Sequence, residues 1–115
     1  MARDFRKDRN LEAGQKHDKA TASAGAAATV TLESIVDEAH LIKKIWFSFS
    51  ENPAAACALT IAFAGVVKVD VDVTQGGPGP IDLDLLNDGK IGSEVIIQLA
   101  GDGGNAIPKI NVLYY

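Results

Sequence analysis

The sequence predicts an all-β fold: an antiparallel β-sandwich of jelly-roll or related Greek-key type, preceded by an extended N-terminal arm. From residue 29 onward, apolar residues alternate with polar or small ones in short segments, as in half-buried strands. Turn residues separate these segments at intervals of about ten residues, the spacing of a sandwich. No segment after the arm has the periodicity of a helix.

Residues 1–28 are predicted to be an arm, and residues 29–115 a single sandwich domain. Residues 1–19 are mostly charged or amide-bearing, and Ala20–Ala28 (ATASAGAAA) reads as a small-residue hinge. Neither part has enough apolar surface to offset an ordering cost of about 1–2 kcal/mol per residue. We therefore expect a partner outside the chain to hold the arm, which points to an assembly rather than an active site.

Seven or eight short strands are predicted, with apolar residues on their inward faces and sharp breaks between them. The predicted strands cover residues 29–36, 40–50, 59–63, 66–73, 81–85, 95–99 and 107–115. The predicted inward residues are Val30, Leu32, Ile45, Phe47, Phe49, Leu59, Ile61, Phe63, Val67, Val69, Val71, Val73, Ile81, Leu83, Leu85, Val95, Ile97, Leu99, Ile110, Val112 and Tyr114.

Glycine, proline and Asx residues mark the connections between these strands. Ala64-Gly65 predicts a tight reversal, and residues 75–80 (QGGPGP) predict a loop. Asn87-Asp88-Gly89 predicts a turn, and residues 101–105 (GDGGN) predict a hairpin loop.

Aspartates constrain the arrangement of two of these strands. If strands 66–73 and 81–85 paired directly, their four aspartates would share one face, and like charges directly opposite one another are destabilising. These residues are Asp70, Asp72, Asp82 and Asp84. The two strands are therefore predicted to lie in different sheets, which favours a sandwich over a meander.

Charge and cysteine content exclude several classes of function. The net charge is −4, divided between about +2 in the arm and −6 in the remainder, which argues against nucleic-acid binding. The single cysteine, Cys57, excludes an internal disulfide and a cysteine-based metal cluster. No apolar run is long enough to span a membrane, and charges replace the apolar stretch of a signal peptide. We expect a protein that is made in the cytosol.

No residue pattern predicts catalysis, a cofactor or a metal site. His17 and His40 are the only histidines, and neither has the motif context of a catalytic group. The loops are too short to form a catalytic cleft. The strand aspartates could bind calcium, but their alternation is explained more simply by a solvated face, and they lack the spacing of a calcium loop.

Trp46 and the two C-terminal tyrosines each have two interpretations. Trp46 is predicted to point away from the core, next to Lys44 and Ser48. It could anchor a contact, because aromatic residues are enriched among binding hot spots. Alternatively, the arm or a sheet edge covers it, or a bulge turns it inward. Tyr114 and Tyr115 either close the sheet or lie in a subunit contact.

The layout of the chain resembles small accessory structural proteins of tailed-bacteriophage particles, of the head decoration or cement type. A polar arm precedes a first strand (ATVTL, 28–32), a basic and aromatic strand (IKKIWFSF, 42–49) and a closing strand (INVLYY, 110–115). The resemblance implies a β-sandwich without catalytic activity, an arm laid over the major capsid protein, and a homo-oligomer, with a trimer favoured. It also implies a location on the capsid surface of the virion.

These observations lead to two main hypotheses. The first is a non-enzymatic structural protein that stabilises a virus capsid through its arm and oligomeric contacts. The predicted partner-binding residues are Phe5, Arg6, Arg9, Leu11, Trp46 and Tyr115. The second is a carbohydrate- or receptor-binding sandwich of a phage fibre or secreted enzyme. A small hydrolase or metal-dependent enzyme is a third possibility, for which the chain offers no coherent set of residues.

Overall fold

The computed structural model describes residues 15–86 and 92–115, and this part of the chain forms eight strands. The strands are β1 (Lys16–Thr21), β2 (Ala28–Leu32), β3 (Ile42–Phe49), β4 (Cys57–Phe63), β5 (Val66–Val73), β6 (Gly79–Leu86), β7 (Val95–Leu99) and β8 (Pro108–Tyr114). Within these residues, the structure contains no helix long and apolar enough to cross a membrane.

The strands form two four-stranded antiparallel sheets. Sheet I has the order β1-β8-β3-β6, and sheet II has the order β2-β7-β4-β5. This order is that of a jelly roll, in which two Greek keys fold over one another. The predicted fold class is confirmed. Among the eight described strands, only β4 and β5 both follow one another in sequence and pair with one another.

The aspartate-bearing strands lie in different sheets, as the charge argument predicts. β5 is an edge of sheet II, and β6 is an edge of sheet I. Asp70 and Asp72 on β5 therefore have Thr60 and Ala58 of β4 as their cross-strand neighbours rather than other acids. The predicted separation of the two strands is confirmed.

The core lies between the sheets and consists of the inward residues of the central strands. Leu59 and Ile61 on β4, Ile97 on β7 and Val112 on β8 are each 0% exposed. Full burial of such an aliphatic side chain contributes about 1.5–3 kcal/mol relative to exposure. The alternation in these strands therefore predicted their inward faces correctly.

The sandwich begins earlier than predicted, because Lys16–Thr21 forms an edge strand of sheet I. β1 pairs with β8 from Lys16 opposite Tyr114 to Thr21 opposite Lys109. The predicted arm boundary at residue 28 is therefore wrong for this strand. β1 lacks an apolar alternation, and only Ala20 is partly buried against the core. Backbone pairing with β8 holds the strand, and its lysines are typical of a protected edge. Residues 1–14 lie outside the described residues.

The predicted hinge is tied to the loop between β7 and β8. The N–H of Gly25 donates to the carbonyl oxygen of Ala106 at 2.9 Å. The N–H of Gly103 donates to the carbonyl oxygen of Gly25 at 3.2 Å. Gly101 lies so close to the carbonyl oxygens of Gly25 and Ala26 that a Cβ atom would collide with them. The segment between β1 and β2 is therefore a bonded connection between the sheets.

Several details of the strands differ from the prediction. The loop 101–105 does not form a hairpin, because β7 and β8 lie in different sheets. Val67 lies opposite the outward Ala62, since a register shift in β5 reverses its direction there. Alternation along the predicted strand 40–50 places His40 on the outward side with Trp46, but the residue is only 6% exposed, so this expectation is wrong. The predicted turn at residues 87–89 lies outside the described residues.

Candidate binding surface

Trp46 lies on the outer face of sheet I, as predicted. Its cross-strand neighbours are Asn111 on β8 and Pro80 on β6. Opposite residues of antiparallel strands share a face, so the register identifies the side chains around it. This outer face, the Trp46 surface, comprises His17, Lys19, Thr21, Lys44, Trp46, Ser48, Pro80, Asp82, Lys109, Asn111 and Leu113.

The environment of Trp46 distinguishes between its two interpretations. The indole is partly buried by its neighbours, and the Lys44 Nζ lies 5.5 Å from the ring centroid, within cation–π range. The bulge in β3 falls between Ile42 and Lys44, ahead of Trp46, and does not turn the indole inward. Trp46 thus remains on the outer face with part of its ring open to solvent.

The Trp46 surface has a locally positive charge on an acidic protein. It carries three lysines, Lys19, Lys44 and Lys109, against one carboxylate, Asp82, whereas the whole chain has a net charge of −4. Such a local reversal of sign attracts an acidic partner surface.

Next to Trp46, β1 and β8 supply hydrogen-bonding groups. The Nε2 of His17 lies 3.2 Å from the Oδ1 of Asn111, to which it donates. A polar depression of about 410 Å³ adjoins this pair, lined by Lys19, Ala20, Thr21, Lys109, Ile110 and Asn111. Sequence reasoning missed these residues, because only the pairing of β1, β8 and β3 brings them beside Trp46.

A second concave feature lies between the sheets, where β5 and β6 form one side of the sandwich. This open groove, of about 550 Å³, is lined mainly by apolar side chains: Phe47, Val71, Val73, Pro78, Pro80 and Ile81, with Asp72, Thr74, Gln75, Gly77 and Gly79. It shows that the two sheets do not close over the core on this side.

The C-terminal tyrosines close the end of sheet I. Backbone bonds join Tyr115 and Leu41 in both directions, at 2.9 and 3.1 Å. The Tyr114 ring packs edge-on against His40 at 5.7 Å between centroids. Burial, followed by the negative charge of Asp18, raises the pKa of Tyr114. Of the other predicted contact residues, Phe5, Arg6, Arg9 and Leu11 lie outside the described residues.

His40 and Cys57 have structural environments. The Nε2 of His40 donates to the carbonyl oxygen of Glu33 at 2.7 Å, which fixes the ring beside Tyr114. Cys57 is 1% exposed, and burial, with a smaller contribution from Asp102, raises the pKa of its thiol. Across residues 15–86 and 92–115, no group of three or more His, Cys, Asp or Glu residues is arranged to hold a metal ion.

Comparisons with known proteins identify the fold and no family. No family model matches the chain, and no curated protein matches it.

Solved structures match at low sequence identity. The Drosophila NLP core, described in terms of pentamer formation and histone binding, is 16% identical with a TM-score of 0.53, over 86% of this chain and 94% of that one. The insecticidal delta-endotoxin Cry8Ea1 of Bacillus thuringiensis is 9% identical with a TM-score of 0.52, over 84% of this chain and 19% of that one. The carbohydrate-binding module CBM36, with calcium and xylotriose, is 14% identical with a TM-score of 0.47, over 87% of this chain and 88% of that one. Identities this low show a shared fold alone, and the strand order of this chain gives that fold as a β-sandwich of jelly-roll topology.

Proposed function

We propose that this protein is a non-enzymatic structural protein of a virus particle that binds the capsid surface. The observation that supports this proposal is the Trp46 surface: an outward tryptophan among lysines on an acidic chain. Interface hot spots are enriched in tryptophan and lie within a polar rim, as Trp46 does. The flat face of a sheet suits a protein surface better than it suits a small ligand, which binds in concave sites.

The position of β1 connects this surface to the N-terminal segment. β1 supplies His17 and Lys19 to the Trp46 surface, so the chain enters the sandwich at its border. Residues 1–14 contain the apolar Phe5 and Leu11 and the basic Arg6 and Arg9. In the proposal, these residues contact the major capsid protein next to the area covered by Trp46. Linked weak contacts of this kind strengthen one another through effective concentration. The trimer implied by the resemblance is part of this proposal.

The alternative proposal is carbohydrate binding, and it uses the same surface. Trp46 offers a flat aromatic face, and the hydrogen-bonding side chains of Asn111 and His17 lie beside it. In this alternative, the Trp46 surface binds a glycan and does not bind a capsid.

The two proposals are separated by the ligand that is bound, capsid or glycan, and a Trp46→Ala substitution in the full chain tests whether this surface binds it. Loss of a hot-spot aromatic costs about 2 kcal/mol or more, which weakens binding about 30-fold. We expect this loss in co-sedimentation with purified capsids that lack the protein, and a smaller loss for Lys44→Glu. Thr31→Ala, on the outer face of sheet II, is the matched control and should bind like the original chain.

Capsid binding that is unchanged by Trp46→Ala would overturn the assignment of this surface. Glycan binding on an array that disappears with Trp46→Ala, together with no binding to capsids, would establish the alternative instead.

A further inference from the structure

Exposed apolar side chains are concentrated on β5. Among the described residues, the exposed large aliphatic side chains are Ile35, Val36, Val66, Val67 and Val71, and the last three belong to β5, at 49%, 54% and 42% exposure. Within residues 15–86 and 92–115, β5 is an outer strand of sheet II and pairs with β4 alone. Its free edge presents backbone N–H and C=O groups that can pair with another strand.

The charged side chains of β5 face outward between these valines. Lys68, Asp70 and Asp72 are all exposed. The cross-strand neighbours of the two aspartates on β4 are Thr60 and Ala58, which are uncharged. Both signs of charge are therefore displayed on one free edge, a pattern that is complementary to itself when the strand is reversed.

We propose that β5 pairs antiparallel with β5 of a second copy about a two-fold axis, which joins the two sheets II into one eight-stranded sheet. In this pairing, Val69 lies opposite the partner's Val69. Lys68 lies opposite the partner's Asp70, and the symmetry forms this ion pair twice. Cross-strand pairs of opposite charge stabilise such a ladder.

The charges select this register over its neighbours. A shift that centres the axis on Asp70 places it against the partner's Asp70. A shift that centres the axis on Val71 places Asp70 against the partner's Asp72, twice. Like charges directly opposite are destabilising. Shifts by one residue set the outward face of one strand against the inward face of the other. The register centred on Val69 is the one with two attractive pairs and no repulsive pair.

The same contact shields the apolar edge of the sandwich. Val71 borders the open groove, so a second copy at β5 lies next to that groove and removes exposed valine surface from water. The register shift of β5 borders the centre of this pairing: it falls between Val67, opposite Ala62, and Val69, opposite Ile61, and leaves Lys68 without a counterpart on β4.

This inference is independent of capsid binding, because β5 belongs to sheet II and the Trp46 surface to sheet I. On oligomeric state the two proposals are alternatives: this inference predicts a dimer in place of the trimer that the proposed function takes from the resemblance, and the mass in solution decides between them.

The test is the mass of the full chain in solution, with charge-reversed variants. Sedimentation equilibrium should give twice the 12.1 kDa of one chain. Lys68→Asp sets two acids opposite each other twice, and Asp70→Lys sets two lysines opposite each other twice. Each single variant should weaken dimerisation by about tenfold or more. The double variant, Lys68→Asp with Asp70→Lys, restores opposite charges and should dimerise like the original chain.

Lys43→Asp, on β3 of sheet I, makes the same change in net charge elsewhere and should remain dimeric. A second experiment uses cysteine cross-linking. Val69→Cys should form a covalent dimer on oxidation, since opposite residues in antiparallel strands lie within disulfide reach. Val71→Cys should not, and the buried Cys57 of the original chain should leave it unlinked.

A monomer or a trimer for the original chain would overturn the proposal. So would a double variant as weak as the single ones. Trp46→Ala should stay dimeric, so that loss of capsid binding and loss of the dimer are distinguished by separate variants.

Discussion

β2 and β5 are the two edges of the same sheet, yet they differ in how completely their inward residues are buried. On β2, Ala28, Val30 and Leu32 are each 2% exposed. On β5, Val73 is 5% exposed, but Val71 is 42% exposed. The loop from β1 lies over the β2 side and is bonded to the loop after β7, whereas the open groove remains between β5 and β6. Burial at a sheet edge thus depends on whether a strand or loop covers that edge from the opposite side of the sandwich.

The largest effect is expected on the closed side, from Leu32→Ala. A buried leucine replaced by alanine loses transfer free energy and leaves a cavity, at a cost of about 2–5 kcal/mol. Urea unfolding measures the change. The neighbouring exposed Thr31→Ala is the control and should change the free energy of unfolding little. Equal losses for both variants would contradict the closed packing of β2.

Gly101→Ala is expected to rank next, because the added Cβ meets the backbone carbonyl oxygens of Gly25 and Ala26. Forcing these loops apart should cost about 1–3 kcal/mol of unfolding free energy. Gly104→Ala, three residues later, adds a methyl group in ordinary contact with Asp102 and should be nearly neutral. Thermal unfolding of the two variants compares a tight contact with a loose one in a single loop.

Val30→Ala and Val71→Ala test the comparison most directly, since the same substitution is made on both edges of one sheet. Removal of two buried methyl groups from Val30 should cost about 1.5 kcal/mol. Val71 should lose less, about 0.9 kcal/mol in a monomer, because 42% of the residue is already in water. If Val71→Ala costs as much as Val30→Ala in the original chain but not in Lys68→Asp, a second copy covers β5.

The smallest effect is expected from Asp102→Asn. The carboxylate of Asp102 accepts backbone N–H bonds from Ala54 at 3.0 Å and from Gly104 at 2.7 Å. These bonds lower its pKa from the ordinary value of 3.8, that from Ala54 most. The stabilisation is therefore full above the ordinary pKa and is lost as the pH falls through the lower folded value.

We expect Asp102→Asn to lower the melting temperature slightly at pH 7 and to match the original chain at low pH. A difference in melting temperature that persists below the folded pKa of Asp102 would show that the negative charge of Asp102 is not what stabilises the loop.

The sequence was sufficient to predict the central strands and the fold class, because alternating aliphatic residues mark β4 and β7 directly. The aspartates of β5 and β6 also gave the correct separation into two sheets. β1 was missed because its support is backbone pairing with β8, which leaves no apolar pattern in its own residues. The exposure of Val71 was missed because alternation identifies an inward face but not whether the opposite sheet covers it.

For the candidate site, the outward direction of Trp46 followed from alternation with Ile45 and Phe47. Its neighbours Lys19 and Asn111 did not, because they are remote in sequence and meet Trp46 through the strand order 1-8-3. The contact residues predicted in residues 1–14 remain predictions.

The strand order has a consequence for the order in which the chain folds. In the part of the chain that the structure describes, a short turn at Ala64-Gly65 joins neighbouring strands at β4 and β5 alone, whereas β1 pairs with β8 across nearly the whole sequence. Proteins dominated by such distant pairings fold on a scale of about milliseconds to seconds. We therefore expect the β4–β5 hairpin to form early. During synthesis, β1 cannot pair until β8 has left the ribosome.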